Sequence, residues 1–116
     1  MTPDEEAILR CTLDYFEGWF DADPERMRRA LHPELAKRSP DGEALNQDTA
    51  REMIEATAAG SGRERDPDAR RIDVRVVDVY GAIAAVVVDS NVYREYLHLV
   101  RTEDGWKIVN ALWDFT

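Results

Sequence analysis

Turn signals recur at close intervals through the second half of the chain. Tyr80-Gly81, Asp89-Ser90-Asn91 and Asp104-Gly105 divide the residues after 72 into four short runs. Ile72, Val74 and Val76 alternate with Asp73 and Arg75, the period of a strand with one buried face. The phase slips at Val76-Val77, which predicts a β-bulge. Residues 82–88, AIAAVVV, are apolar at every position, so this strand should be covered on both faces. Residues 92–101 read as a third strand. Asp104-Gly105 turns into a fourth, DGWKIVNALWDFT, which carries Asn110 mid-way and a tryptophan near each end. Connections this short join strands only as antiparallel hairpins, so the four runs predict a meander.

The first half follows the helical period. Residues 4–21 carry Ile8, Leu9, Leu13, Tyr15, Phe16, Trp19 and Phe20 on one wide face. Thr2 is placed to cap that helix, Pro3 suits its first turn, and Asp4, Glu5 and Glu6 suit its positive end. Asp23 and Pro24 open a short second helix to about Leu31, which His32-Pro33 should close. Residues 34–46 are turn-rich, and Asp41-Gly42 predicts a hairpin or loop between two short extended pieces. Asp48 or Thr49 opens a third helix ending near Gly60. The polar segment 61–68 reads as a mobile loop. Helices first and a meander afterwards is an α+β layout.

Length and charge narrow the function classes. The 116 residues suffice for a single domain, 1–116, with one core, and no repeat or linker divides them. A net charge of −9, with the basic residues interspersed among Asp and Glu, argues against nucleic acid and against an anionic membrane surface. No run reaches the roughly 18 apolar residues of a membrane span. Two histidines and scattered glycines offer neither a metal-ligand spacing nor a phosphate loop, so no metal and no cofactor is expected. Cys11 is the lone cysteine and the first ten residues are acidic, which predicts a cytoplasmic protein. A buried thiol on the first helix should have a raised pKa and be inert.

The order of elements resembles the nuclear transport factor two-like superfamily, and within it the bacterial putative lumazine-binding family. The resemblance is carried by DYFEGWFDADPERMRRALHPELAKR at 14–38, REMIEATAAG at 51–60, DVYGAIAAVVV at 78–88 and EYLHLVRTEDGWKIVNALW at 95–113. It implies a cystatin-like fold, a cone-shaped curved antiparallel sheet wrapped around three N-terminal helices. The cone's open end would hold a pocket lined in part by the last strand. The resemblance also raises the expectation of pairing through the outer face of the sheet.

Tyr15 and Trp19 lie one helical turn apart. Aromatics at that spacing usually serve only to bury area. The resemblance gives them a second role, bordering the pocket, with Tyr15 as a hydrogen-bond donor. Ketosteroid isomerases of the same superfamily place a tyrosine where Tyr15 stands and a tryptophan where Trp113 stands. Their catalytic base falls at about Ser39 and their protonated acid at about Tyr96 or Leu97, and neither position is a carboxyl. Asp41 and Glu43 stand nearby, in a loop open to water. A proton-shuttling isomerase is therefore not expected.

Other polar residues have competing readings. His32 reads as a helix-end histidine against the dipole. His98 faces outward if Leu97 and Leu99 face the cone, and inward otherwise. Asn110 shares a face either with Trp106, Ile108 and Leu112, or opposes Val109, Ala111 and Trp113. The match at Trp113 favours the second set in the pocket, with Asn110 outside. Lys37 and Arg38 read as a solvated pair on an edge strand, with a cationic pocket mouth as the alternative.

The resulting expectation is small-molecule binding in an apolar pocket lined by Tyr15, Trp19 and Trp113, with a small apolar or aromatic ligand. The alternatives are an acid–base cyclase, dehydratase or isomerase acting on a cyclic or polyketide-like substrate, and a ligand-free association module. Whether the protein is an enzyme stays open at this point. A homodimer through the outer sheet face is expected because strand 82–88 is apolar on the side the helices cannot cover.

Overall fold

The computed structural model describes residues 1–64 and 66–116. Helix α1 spans Pro3–Phe20 and α2 Pro24–Ala30, followed by strands β1 (Leu31–Asp41) and β2 (Ala44–Asp48). Helix α3 spans Ala50–Ala58, and a single 3-10 turn, Pro67–Ala69, precedes β3 (Ile72–Tyr80). β4 (Ile83–Ser90), β5 (Tyr93–Thr102) and β6 (Gly105–Phe115) complete the chain. The six strands form one sheet in the order β2-β1-β6-β5-β4-β3. All neighbours are antiparallel except β1 and β6, which pair in parallel. Those two strands are far apart in sequence, so no hairpin dictates their direction.

Local chemistry explains the helix ends. Thr2 and Thr49 each cap a helix through a capping box, with Glu5 and Glu52 returning the bond. Asp23 caps α2 by accepting from the Arg26 N–H at 3.2 Å. That helix stops at Ala30, because residues 31–41 pair with β6 and β2 instead. His32 is therefore not a helix-end histidine. It lies at the start of β1, where its Nδ1 accepts from the Glu34 N–H at 3.0 Å. The Asp41-Gly42 hairpin forms as expected, with Asp41 opposite Ala44. The segment expected as a mobile loop includes residue 65, outside the described residues. Beside it, Arg70 bonds Asp21 at 2.7 Å and anchors the 3-10 turn's exit.

Helices α1 and α3 pack on one face of the sheet. Ile8, Cys11, Phe16, Met27, Leu97, Leu99, Val86, Val88 and Ile108 make the core. Burying large aliphatic and aromatic side chains contributes roughly 1.5–3 kcal/mol each before chain entropy is counted. Two bulges set the curvature. Val77 is extra between β3 and β4, at the predicted slip. Val109 is extra between β5 and β6, where His98 pairs Asn110 but Leu99 pairs Ile108. The second bulge breaks the simple alternation of β6. Trp106, Ile108 and Ala111 all face inward and are buried, while Asn110 stands beside exposed His98 on the outer face. Each proposed parity is thus right for half of the strand.

Candidate functional site

The inner face of the sheet is not uniformly apolar. In β5, alternation carries Glu95 inward together with Leu97 and Leu99. In β1 it carries Lys37 inward with Leu35 and Ser39. Lys37 is 7% exposed and Glu95 3%. Lys37 shares a cross-strand row with Ala111 of β6, Leu97 of β5 and Val86 of β4. This overturns the reading of Lys37 as a solvated edge charge. β1 is an inner strand, flanked by β2 and β6, and only Arg38 takes the outward position.

Tyr15 joins the two charged groups. Its hydroxyl donates to Glu95 Oε1 at 2.7 Å and accepts a hydrogen bond from Lys37 Nζ. Lys37 and Glu95 are themselves 4.0 Å apart, too far for a direct hydrogen bond. The phenol is the only bridge between them among the described residues. Burial is the first cause of every perturbation here. It holds Lys37 below its ordinary value, against the opposing Glu95 and Asp48 charges. It pushes Glu95 up, against the Lys37 charge and the Tyr15 hydrogen bond. Burial, then the Glu95 carboxylate, raise the Tyr15 phenol well above its usual range. Both members of the pair are biased towards their neutral forms.

Aromatic walls surround the amine. Lys37 Nζ lies 4.8 Å from the Tyr15 ring centroid, 5.5 Å from Trp113 and 5.8 Å from Trp19. Such contacts favour a cation by about 0.5–2 kcal/mol. Removing an ammonium from water costs several kcal/mol, so desolvation outweighs them.

A cavity of about 70 Å³ opens against this group. Tyr15, Trp19, Lys37, Tyr93, Glu95 and Trp113 line it, with Asp48 and Met53 beside them. The three residues expected from the sequence are thus brought to one cavity. Trp19 is held from two sides. Its Nε1 donates to Tyr93 Oη at 3.0 Å, and a Cβ on Gly62 would meet its ring at 2.4 Å, so only glycine fits beneath it. Trp113 packs edge-on to Tyr93 with centroids 5.3 Å apart, yet its Nε1 is buried without an acceptor among the described residues. A larger open groove, of about 760 Å³, runs over the other face past Ile83, Ala85 and His98. His32, Glu34, Asp78 and His98 border it and none of them is buried, whereas the buried ionisable groups lie on the inner side.

Sequence reasoning passed over Glu95, and gave Lys37 a place at the pocket only as the alternative of a cationic mouth. The signal was present: Glu95 must share the face of Leu97 and Leu99, and Lys37 that of Leu35. The acid of the isomerase comparison was sought at Tyr96 or Leu97. The carboxyl that meets Tyr15 is one position earlier. The other half of the comparison stands, since Ser39 is buried and carries no carboxyl. Cys11 is buried as expected; its thiol donates to the Ala30 carbonyl at 3.4 Å and burial pushes it up to about 12.

The family model described as "Putative lumazine-binding" matches residues 3–114. The chain belongs to the putative lumazine-binding family. A search of curated proteins found no match. Solved structures similar to this family member share the nuclear transport factor two-like fold. One is an NTF-2-like protein of unknown function from Silicibacter pomeroyi, 17% identical, covering 100% of both chains with a TM-score of 0.82. A second, from Shewanella baltica, is 17% identical over 100% of this chain and 98% of its own, with a TM-score of 0.75. A ketosteroid isomerase-like protein from Erwinia carotovora atroseptica is 14% identical over 99% and 98%, with a TM-score of 0.66. At these identities the likeness shows the lumazine-binding family member's fold alone.

Proposed function

We propose that this single domain binds a small organic molecule bearing at least one oxygen, between α1 and the inner face of the sheet. Tyr15, Trp19 and Trp113 supply aromatic walls, and the Lys37–Tyr15–Glu95 relay supplies the polar end. The observation that carries this reading is the relay itself, a buried amine and carboxyl bridged by a phenol at the edge of a cavity. A hydrophobic core built only for stability gains nothing from such a group, because apolar replacements are often as stable. The family's name refers to lumazine, a fused bicycle. The cavity equals about two waters at roughly 30 Å³ each, which suits a smaller ligand.

Tryptophan fluorescence tests the reading, using titrations with phenol, propanal and acetone. A saturable change in wild type that is lost in Trp113→Phe supports it. No change with any of the three, or an unaltered change in Trp113→Phe, overturns it.

A second reading has its own observation. The 2.7 Å bond between Tyr15 and Glu95, with the Glu95 carboxyl raised by burial, is the arrangement of a proton donor to a substrate oxygen. With Ser39 at the base position, an acid–base enzyme built on this pocket would use Lys37 as the base. The same lone, buried Cys11 fits a reducing compartment such as the cytoplasm.

The outer face supports a homodimer as the assembly state. Val87, Tyr96 and Leu112 form one cross-strand row there, with Tyr96 50% and Leu112 46% exposed, and Ile83 lies nearby. Pairing two copies of this row is the simplest closed arrangement. Light scattering should give a dimer for wild type and a monomer for Val87→Arg, whereas Val86→Arg, facing the core, should not fold. A monomeric wild type at micromolar concentration sinks the proposal.

A further inference from the structure

We propose that Lys37 is a nucleophile that captures small aldehydes or ketones covalently as a Schiff base, with Tyr15 and Glu95 moving the protons. This rests on the cavity being a binding site, as proposed above, and names the chemistry of its polar end.

The first argument is geometric. A structural cation in a core is matched by a carboxylate in direct contact, because only contact offsets the loss of water. Glu95 does not make that contact with Lys37; it stands 4.0 Å away with the Tyr15 hydroxyl between them. What this geometry does provide is a path for a proton. An ammonium at Lys37 passes one proton to Tyr15 Oη while Tyr15 passes its own to Glu95. The products are a free amine, a neutral phenol and a neutral carboxyl, an arrangement that the burial of both groups brings within reach of the ion pair. The direction of the Lys37 and Glu95 shifts agrees with that path.

The second argument concerns residue choice. Lys37 and Lys107 are the chain's only lysines, and every other basic side chain is arginine. Arginine cannot give up its proton in a protein, whereas a buried lysine can. Lys107 has an evident structural use, donating to the Arg29 carbonyl at 2.6 Å. Lys37 sits where arginine would fail as a nucleophile. Its neighbour across β6 is Ala111, the smallest side chain that could stand there apart from glycine, which leaves the amine room.

The third argument is the cavity. At about 70 Å³ it suits a carbonyl compound the size of propanal or acetone. Flat aromatic walls from Trp19 and Trp113 flank the position of a planar C=O.

The step balances without an oxidant or reductant. The Lys37 lone pair forms a C–N bond to the carbonyl carbon, and the C=O π pair takes the proton held by Glu95, relayed through Tyr15. One N–H proton of the cationic adduct returns through Tyr15 to the Glu95 carboxylate, giving the neutral carbinolamine, which then loses its remaining nitrogen proton and its hydroxyl as one water molecule as the C=N bond forms. Amine plus carbonyl gives imine plus water.

The test is reductive trapping of the full chain with propanal and cyanoborohydride, read by peptide mass mapping. Lys107 is the internal control in the same molecule. Lys37 should be alkylated at least about tenfold faster than Lys107, because its desolvated setting favours the reactive free amine. Unfolding in urea should erase the ratio, and Tyr15→Phe, which cuts the proton path, should reduce it. Equal or slower labelling of Lys37 in the folded wild type overturns the inference, and needs no variant to fold. If fluorescence reports binding but Lys37 is not trapped, the covalent step fails and the binding site stands. If neither occurs, both fail.

Discussion

The two ends of β6 carry the same residue in opposite circumstances. Trp106 at one end is 5% exposed, and its Nε1 donates to Asp4 at 3.0 Å. Trp113 at the other end has its Nε1 buried with no acceptor among the described residues. Around Trp106 the interior is filled by Ile8, Leu99 and Ile108, all fully or almost fully buried. Around Trp113 it holds a lysine, a glutamate and a cavity. One end follows the rules of a core, with apolar contacts and its indole donor paired. The other departs from both within one small volume. A fold tolerates such violations where something other than stability is being served. The comparison fits a closed end that holds the sheet on α1 and supports the proposed site at the open end.

The largest expected effect comes from unpairing the open end. Lys37→Met leaves Glu95 buried without its counter-charge, so the carboxyl must be protonated on folding. Its ordinary value is 4.5, so at pH 7 this costs roughly 3 kcal/mol at about 1.36 kcal/mol per unit. The sign follows from the raised folded-state value. The favourable contribution of Glu95 is complete below its ordinary value of 4.5 and is lost as pH rises through the raised one. Urea denaturation should therefore show a deficit for Lys37→Met that is largest near neutrality and shrinks towards pH 4.5. The pair variant Lys37→Met/Glu95→Gln should recover most of the loss at every pH. A deficit independent of pH would mean that Lys37 acts by packing alone.

A substitution at the closed end should behave differently. Ile108 is fully buried, and Ile108→Ala removes contacts that nothing can replace, costing about 2–5 kcal/mol. That loss should not vary with pH, and the fluorescence response to small ligands should survive wherever the protein is folded. Trp113→Phe is the matched change at the open end. It removes a donor that was unpaired, so its cost should stay within about 1 kcal/mol. If Trp113→Phe proves as costly as Ile108→Ala, both ends are core and the distinction fails.

How much of this was legible in the sequence differs between the same two ends. Element order, the Val77 bulge and the first-helix face follow from periodicity and turn residues. Closed-end burial follows with them, since Ile8 and Ile108 are apolar residues in apolar patterns. Helix α2 ends within one residue of the expected place, but the strand that follows it directly was not legible, because Leu31 pairs with Ile108 of β6, a contact more than seventy positions away. The parity of β6 was ambiguous because the Val109 bulge has no turn residue to announce it. Glu95 was missed, and Lys37 was read first as a solvated charge, for a different reason. Charged residues on strands are ordinarily solvated, and the general expectation overrode the alternation that places them inward. Only the tertiary meeting of β1, β5 and α1 at the Tyr15 hydroxyl makes them one group.

The smallest effect sharpens the comparison by making the closed end resemble the open one. Asp4 is the sole acceptor for Trp106 Nε1 among the described residues. Asp4→Ala would leave that indole N–H buried and unpaired, as Trp113 is now. Asp4 also lies 3.2 Å from Arg101, but both side chains are substantially exposed, so that ion pair contributes little. Its place in the first turn of α1 adds a few tenths of a kcal/mol through the helix dipole. The expected loss is about 1–2 kcal/mol, dominated by the unpaired donor. Asp4→Asn separates the terms, because an amide oxygen still accepts from the indole while the charge is gone. It should keep most of the stability, and high salt should weaken wild type only slightly relative to it. If Asp4→Ala is as stable as wild type, a buried indole donor costs this fold nothing. The unpaired Trp113 would then no longer distinguish the open end, and the case for a site there would rest on Lys37, Tyr15 and Glu95 alone.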